Sequence, residues 1–408
     1  MPFANRAVPI VLAAVLIDSI GFGIVMPVLP SLITRLGHVG IDDATRIAGY
    51  MLTAFALTQF FAGPVLGNLS DRYGRRLVLI ASMLAFGVDY ALMALAPTLA
   101  WLFVGRAIAG AAGAIYGPAS SVIADVVPVE KRSAAFGYIS GAFGIGFVLG
   151  PALGGVLAAL GPRAPFAAAA ALALGNAAVM AFAMPESLQR EHRRPFRWRD
   201  AHVIGAFRPL FDSPIAVPLL VVALLWQIAN TVYPGTWAFW ATIRFHWSPG
   251  AIGLSLTYVG FIMAAVQVLL VGSAIARLGD RRALMVGLVC AIAGFLAFAF
   301  IQAGWQVYAI MLLASLQGFV GPAISGLLSR MVGPERQGAL QGGLGSLGSV
   351  AAIVSPLLMT QALAAGVELG FPGAAFVLAA VLALAALGVV VWKVLDRAPP
   401  APAAVAEA

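Results

Sequence analysis

Apolar runs of eighteen residues or more recur along almost the whole chain, and each is long enough to cross the roughly 30 Å hydrocarbon core of a bilayer as one helix. They fall at about 7–34, 44–69, 77–96, 99–126, 133–160, 164–184, 214–243, 250–277, 283–303, 305–331, 336–364 and 371–395. In lipid every backbone N–H and C=O must be satisfied within its own segment, so twelve such runs predict an all-α polytopic membrane protein. Composition agrees, because 62% of the 408 residues are hydrophobic and only 10% are charged, against about 25% charged in a soluble protein. The first run is longer than a signal peptide's apolar core and lacks a small-residue cleavage site, so it is expected to remain as a span.

The 24 lysines and arginines set the orientation. Nineteen fall at the termini or in the loops after even-numbered spans, and only Arg35, Arg46, Arg163 and Arg244 occupy the opposite loops. The positive-inside rule then puts both termini in the cytoplasm, and an inner (cytoplasmic) membrane is the expected location. The net charge of +8 is spread over these short loops, so it reads as topology and not as a nucleic-acid surface. Pro185–Pro214 is the only long hydrophilic connection and carries six arginines. A single cysteine, Cys290, excludes an internal disulfide, and four histidines without ligand spacing give no metal site. No nucleophile–base pair or nucleotide loop is visible, so neither enzyme activity nor a cofactor is expected.

The chain repeats itself. Gly67, Arg72 and Gly74 recur 205 residues later as Gly272, Arg277 and Gly279. Trp101 and Gly117-Pro118 recur 204 later as Trp305 and Gly321-Pro322, and Gly137 and Pro151 recur 205 later as Gly342 and Pro356. Two parallel six-helix halves predict a solute path between them and alternating access by rocking.

Three charges lie inside the apolar runs: Asp18, Asp89 and Arg106, all in the first half. A charge at the bilayer centre costs roughly 2.5–3.5 kcal/mol on insertion scales, so such groups are expected to face a protein interior and to handle cations or protons. In the turn after the second span, Gly67-Asn68-Leu69-Ser70-Asp71-Arg72-Tyr73-Gly74-Arg75-Arg76 combines glycines for a tight turn with Asp71, which can pair with an arginine and a helix N-terminus to latch one conformation. In the second copy Ala276 stands at the place of Asp71, so the latch charge is expected in one half only. Span five carries Gly146, Gly150, Pro151, Gly154 and Gly155, small residues at helical spacing that permit close helix approach, with a proline that bends the helix.

The Gly-x-x-x-Asp-Arg-x-Gly-Arg-Arg turn resembles the loop signature of the major facilitator superfamily. Gly146-x-x-x-Gly150-Pro151-x-x-Gly154-Gly155 resembles the antiporter motif of its drug exporters. The stretch Asp18 to Pro30, the pair Asp89-Tyr90, Ser121–Asp125 and Gly338–Gly342 are similar to segments of tetracycline/proton antiporters. The resemblance implies a major facilitator fold of two pseudo-symmetric six-helix bundles, 1–184 and 214–396, with a cytoplasmic linker at 185–213 and a disordered tail at 397–408. It also implies proton transfer through Arg106, and a latch completed by Asp125 with the arginines after span two. The chain departs from that family in the second half, where Ala291 and Met263 stand at the places of an aspartate and a histidine, while Gln267 is retained.

Gln59, Gln227, Asn230, Gln267, Gln317, Trp237 and Tyr258 are the polar and aromatic groups within spans that either contact a solute or bridge helices. A mostly apolar cavity with one or two acids suits bulky amphipathic molecules better than sugars. The expectation is therefore a monomeric proton-coupled exporter of amphipathic small molecules in exchange for protons. A proton symporter importing a metabolite, and a non-transporting sensor or lipid-handling protein, are the alternatives.

Overall fold

The computed structural model describes residues 6–113, 115–193, 195, 217–331 and 337–394. The tail 397–408 and most of the linker, residue 194 and residues 196–213, lie outside them, as does Arg336. The described residues form helices joined by turns and short irregular connections. In order the helices are α1 Ala7–Val25, α2 Leu29–Gly37, α3 Ile41–Tyr73, α4 Arg75–Leu95, α5 Leu99–Ala112, α6 Tyr116–Val126, α7 Val129–Leu157, α8 Ala164–Ala183, α9 Val217–Asn230, α10 Val232–Phe245, α11 Pro249–Ala265, α12 Val271–Phe300, α13 Gln306–Ala314, α14 Val320–Met331, α15 Gln337–Glu368 and α16 Ala374–Val389. Among the described residues, eleven helical stretches are long and apolar enough to cross a membrane. The longest, Pro249–Phe300, is two spans joined where Gly279 leaves helical geometry at φ 75° and ψ 161°. That restores the expected twelve.

Four of the spans read as continuous apolar runs are broken. The first is interrupted between Val25 and Leu29, where Pro27 removes a backbone donor and Pro30 starts α2. The fourth breaks at Gly113, the seventh at Thr231 just before Pro234, and the tenth tightens into a 3₁₀ turn over Ser315–Phe319. These are the first and fourth spans of each six, so the repeat seen in the residues is also a repeat of helix defects. A helix break in a membrane survives only where protein or water satisfies the freed backbone groups, and in transporters such breaks mark the solute path.

Two compact units are present. One comprises Met1–Val203 with Tyr233–Phe261 and Pro356–Pro372, so the first six spans share it with α10, most of α11 and the end of α15. In this unit α1 packs along α7, α4 along α8 and α3 along α5. The other unit comprises Ile204–Val232, Ile262–Ser355 and Gly373–Ala408, and in it α12 packs on α16 and α14. Large apolar side chains such as Phe182, Leu160 and Val268 point outward. A soluble protein would bury most of them, whereas here they meet lipid tails.

Candidate functional site

The two charges of spans three and four meet. Asp89 lies in the middle of α4 with no exposed surface, and Arg106 of α5 is 7% exposed. The Arg106 Nη2 ion-pairs with Asp89 Oδ2, and its Nε donates to Oδ1 at 3.3 Å. Gly105 makes room for the pair, since a Cβ there would lie 2.6 Å from Asp89 Oδ1. The guanidinium also lies over the rings of Phe55 (5.6 Å) and Tyr90 (5.9 Å). Breaking such a pair by removing one member strands a charge in a low-dielectric interior, at a cost of roughly 3–5 kcal/mol.

Asp18 sits half-buried on α1, within electrostatic reach of the Tyr90 and Tyr116 hydroxyls. Its neighbour Ser19 donates to the Val15 carbonyl at 2.7 Å and lies 3.4 Å from Tyr116 Oη. Gln59 of α3 donates to the carbonyl of Gly113 at 3.4 Å, bridging to the break in the fourth span. Arg106 borders a cavity of about 40 Å³ whose walls include Phe22, Met26, Met51, Met93 and Trp237. The space has room for about three water molecules. It is built from the broken segments of the first and seventh spans, because Met26 lies in one break and Pro234, another lining residue, follows the other. The Trp237 indole donates to Ser255 at 3.0 Å, leaving its ring to form the wall.

The glycines of α7 serve two contacts. Gly146, Gly150 and Gly154 meet the backbone of α1, so that a Cβ at Gly150 would stand 2.6 Å from the Ile20 carbonyl. Gly155 meets α11, where a Cβ would lie 3.1 Å from the Gly250 Cα, and Thr257 donates across to the Val148 carbonyl at 3.3 Å. At the same end Arg46 of α3 ion-pairs with Glu368 at 2.7 Å and with Asp43 at 3.4 Å. Counting from Arg46 to Arg72 along α3, this end lies about 40 Å from the basic turn.

At the basic turn, Gly74 adopts φ 109°, a conformation costly for any side-chain-bearing residue. Arg75 is the hub: it binds Asp71 at 2.5 Å and Asp125 at 3.3 Å, while its backbone N–H donates to Glu186 at 2.8 Å. Ser187 donates to Asp125 at 3.1 Å, and Arg76 donates to the Ala181 carbonyl. Glu186 and Ser187 were missed in the sequence. Their only signal was two polar residues directly after the sixth span, 111 residues from Arg75. Arg72 stacks on Tyr73, with its guanidinium carbon 5.0 Å from the ring centroid. In the second half Ala276 stands at the place of Asp71, and that turn is tied instead by Asp280, which ion-pairs with Arg330 at 2.5 Å.

The remaining solute candidates divide between the units. Tyr258 belongs with the Asp89–Arg106 unit, whereas Gln227, Asn230, Gln267 and Gln317 belong to the other. There Gln267 lies in a π turn, Val266–Leu270, beside the 3₁₀ turn that carries Gln317. Gln317 is 5% exposed and its Oε1 has no hydrogen-bond partner. Ala291 is fully buried and Met263 is 38% exposed, so neither brings a titratable group to this half. Among the described residues no cluster of His, Cys, Asp or Glu could hold a metal ion.

Comparison with known proteins places this geometry in context. The family described as "Major Facilitator Superfamily" matches residues 11–243 and 233–408. "Tetracycline resistance protein, class C" of Escherichia coli is 39% identical over 94% of this chain and 96% of its own length. "Multidrug resistance protein 2" of Bacillus subtilis (strain 168) is 27% identical over 94% of both chains. Among solved structures, a bacterial homologue of the human lysosomal transporter Spinster, in an inward-facing and occupied conformation, superposes with a TM-score of 0.74 at 16% identity, covering 98% of this chain and all of that one.

Proposed function

The chain belongs to the major facilitator superfamily, a family of membrane transporters and not of enzymes, and on that premise we propose that it is a proton-coupled exporter of amphipathic small molecules. The observation that carries this reading is the Asp89–Arg106 pair, buried among helices at the edge of a cavity built from broken spans. A structural ion pair would need no cavity, and a cavity for sugars would need many fixed polar groups.

In the proposed cycle, Asp18 and Asp89 take protons from the outer side and release them to the inner side, and substrate binding displaces the proton. Each ligand shifts the equilibrium only by its difference in affinity between the two access states. Protonating Asp89 would free Arg106 from its partner, giving the pair two arrangements that the cavity lining can sense. The end bearing Arg46, Glu368, Gly155 and Gly250 is the outer gate, shut here by backbone contact and one ion pair. The Asp71–Arg75–Asp125 hub is the inner latch. This assignment follows the arginine asymmetry, with both termini cytoplasmic and the chain monomeric in an inner membrane.

The unpaired Gln317 carbonyl, with Gln267 beside it, offers the substrate an acceptor in the second half. Gln227, Asn230, Tyr258 and Trp237 are the other proposed contacts. Tetracycline is the first compound to test, followed by lipophilic cations. In everted membrane vesicles with an acid interior, adding a transported compound should discharge the gradient, and Asp89→Asn should abolish that response while the protein stays in the membrane. An undiminished response in that variant, or acidification in place of discharge, sinks the exchange reading; the latter would favour symport.

A further inference from the structure

The turn after the second span has a counterpart after the eighth, and each is tied to its own half by an ion pair, but the two pairs have opposite polarity. In the first half Arg75 opens α4 directly after the positive-φ Gly74 and binds Asp125, the penultimate residue of α6. In the second half Asp280 follows the positive-φ Gly279 and binds Arg330, the penultimate residue of α14. Arg75 and Asp280 are 205 residues apart, as are Asp125 and Arg330, which is the offset of the loop glycines. Acid and base have changed places while the geometry has been kept.

Helix dipoles favour the second pair, which among the described residues stands with fewer partners. An acid at a helix N-terminus and a base at a C-terminus are each stabilised by the terminal partial charges. Asp280 and Arg330 have that arrangement. Arg75 and Asp125 have the reverse, and the first half adds Asp71, Glu186 and Ser187 around them. The second pair is also built into the protein. The Asp280 side chain is 3% exposed, and a Cβ on Gly326 would lie 2.9 Å from its Oδ1. A carboxylate buried to that degree depends on its counter-ion.

We propose that Asp280 and Arg330 are positioning residues for transport, a second clamp that fixes the turn between the eighth and ninth spans to the end of the tenth so that this half moves as one body. The proposal rests on the transport reading above. Its test is a double-mutant cycle on the purified full chain in lipid nanodiscs, using Asp280→Asn, Arg330→Gln and both together, read by thermal unfolding. Clear coupling between the two is expected, and additive effects would overturn the clamp. Arg330 is 71% exposed, so its loss empties no core. In everted vesicles Arg330→Gln should lower the maximal rate of tetracycline or ethidium uptake by roughly tenfold, within the range typical of coupled sites. The half-saturating concentration should hold within about twofold, Arg330→Lys should restore the rate, and Asp280→Arg with Arg330→Asp should exceed either single charge reversal. A parental rate in Arg330→Gln, or a swap no better than its single reversals, would overturn it. If the unsubstituted chain moves neither probe, the exporter reading fails, and the unfolding cycle alone decides the clamp.

Discussion

The two halves share their turn glycines, their proline positions and the spans at which their helices break, yet they differ in what they bury. The first half encloses Asp89 and Arg106 and half-encloses Asp18. At the matching offsets the second half has Ala293, Ile310 and Ala223, and its buried polar groups include Ser315 and Gln317 on the 3₁₀ turn, Ser355, and Asp280 at the end of a span. A repeat therefore supplies the scaffold, and the mid-span charges Asp18, Asp89 and Arg106 lie in one copy of it. On the proposed reading, the proton work falls to the first half, and the second offers uncharged hydrogen bonding to the solute.

The strongest attack on that division is Asp89→Asn. It strands Arg106, costing roughly 3–5 kcal/mol of stability, and should lower proton-coupled uptake by about 100-fold or more, measured as tetracycline accumulation in everted vesicles. Adding Arg106→Gln should recover the thermal stability but not the transport. Normal coupling in the single variant would move the proton site out of the first half. Next comes Gly150→Val, which forces α7 away from α1 and should cost about 1–3 kcal/mol by overpacking, with most transport lost. The residue 205 positions later, Ser355, is already side-chain-bearing and buried, so Ser355→Ala should leave both readouts nearly unchanged. Equal sensitivity at the two sites would erase the asymmetry.

Gln317→Leu probes the second half. Removing one neutral hydrogen bond to substrate is worth about 0.5–1.5 kcal/mol, so the half-saturating concentration should rise by roughly two- to tenfold with the proton response intact. A lost proton response would place coupling in both halves. The smallest effect belongs to Arg46→Gln at the outer gate. A part-exposed pair contributes about 0.2–1 kcal/mol, so labelling of Thr360→Cys by an impermeant maleimide should quicken by no more than about fivefold. A far larger increase would mean that Arg46, and not the Gly155–Gly250 approach, keeps this end shut.

Much of the site was readable before any coordinates. Asp18, Asp89 and Arg106 stood out because hydrocarbon tolerates so few charges, and Asp125, expected beside the arginines of the basic turn, lies 3.3 Å from Arg75. Pro27, Gly113 and Pro234 mark three of the four broken spans, but the Ser315–Phe319 turn contains no proline and gave no warning. Asp280 was overlooked for a specific reason: matching the two turns by residue type looked for an aspartate at 276 and found Ala276. Charge-pair equivalence is a property of two positions at once, and a comparison of one position at a time does not reveal it.

By itself the chain of letters determined the apolar helices, the recurrence of their turn motifs and which charges lie inside them, because hydropathy and solvation cost are local properties of each segment. Which acid meets which base, where a helix loosens inside an unbroken apolar run, and that Glu186 and Ser187 complete the hub around Arg75 were decided by packing. Those outcomes depend on contacts between residues far apart in the chain, and no segment carries that information alone.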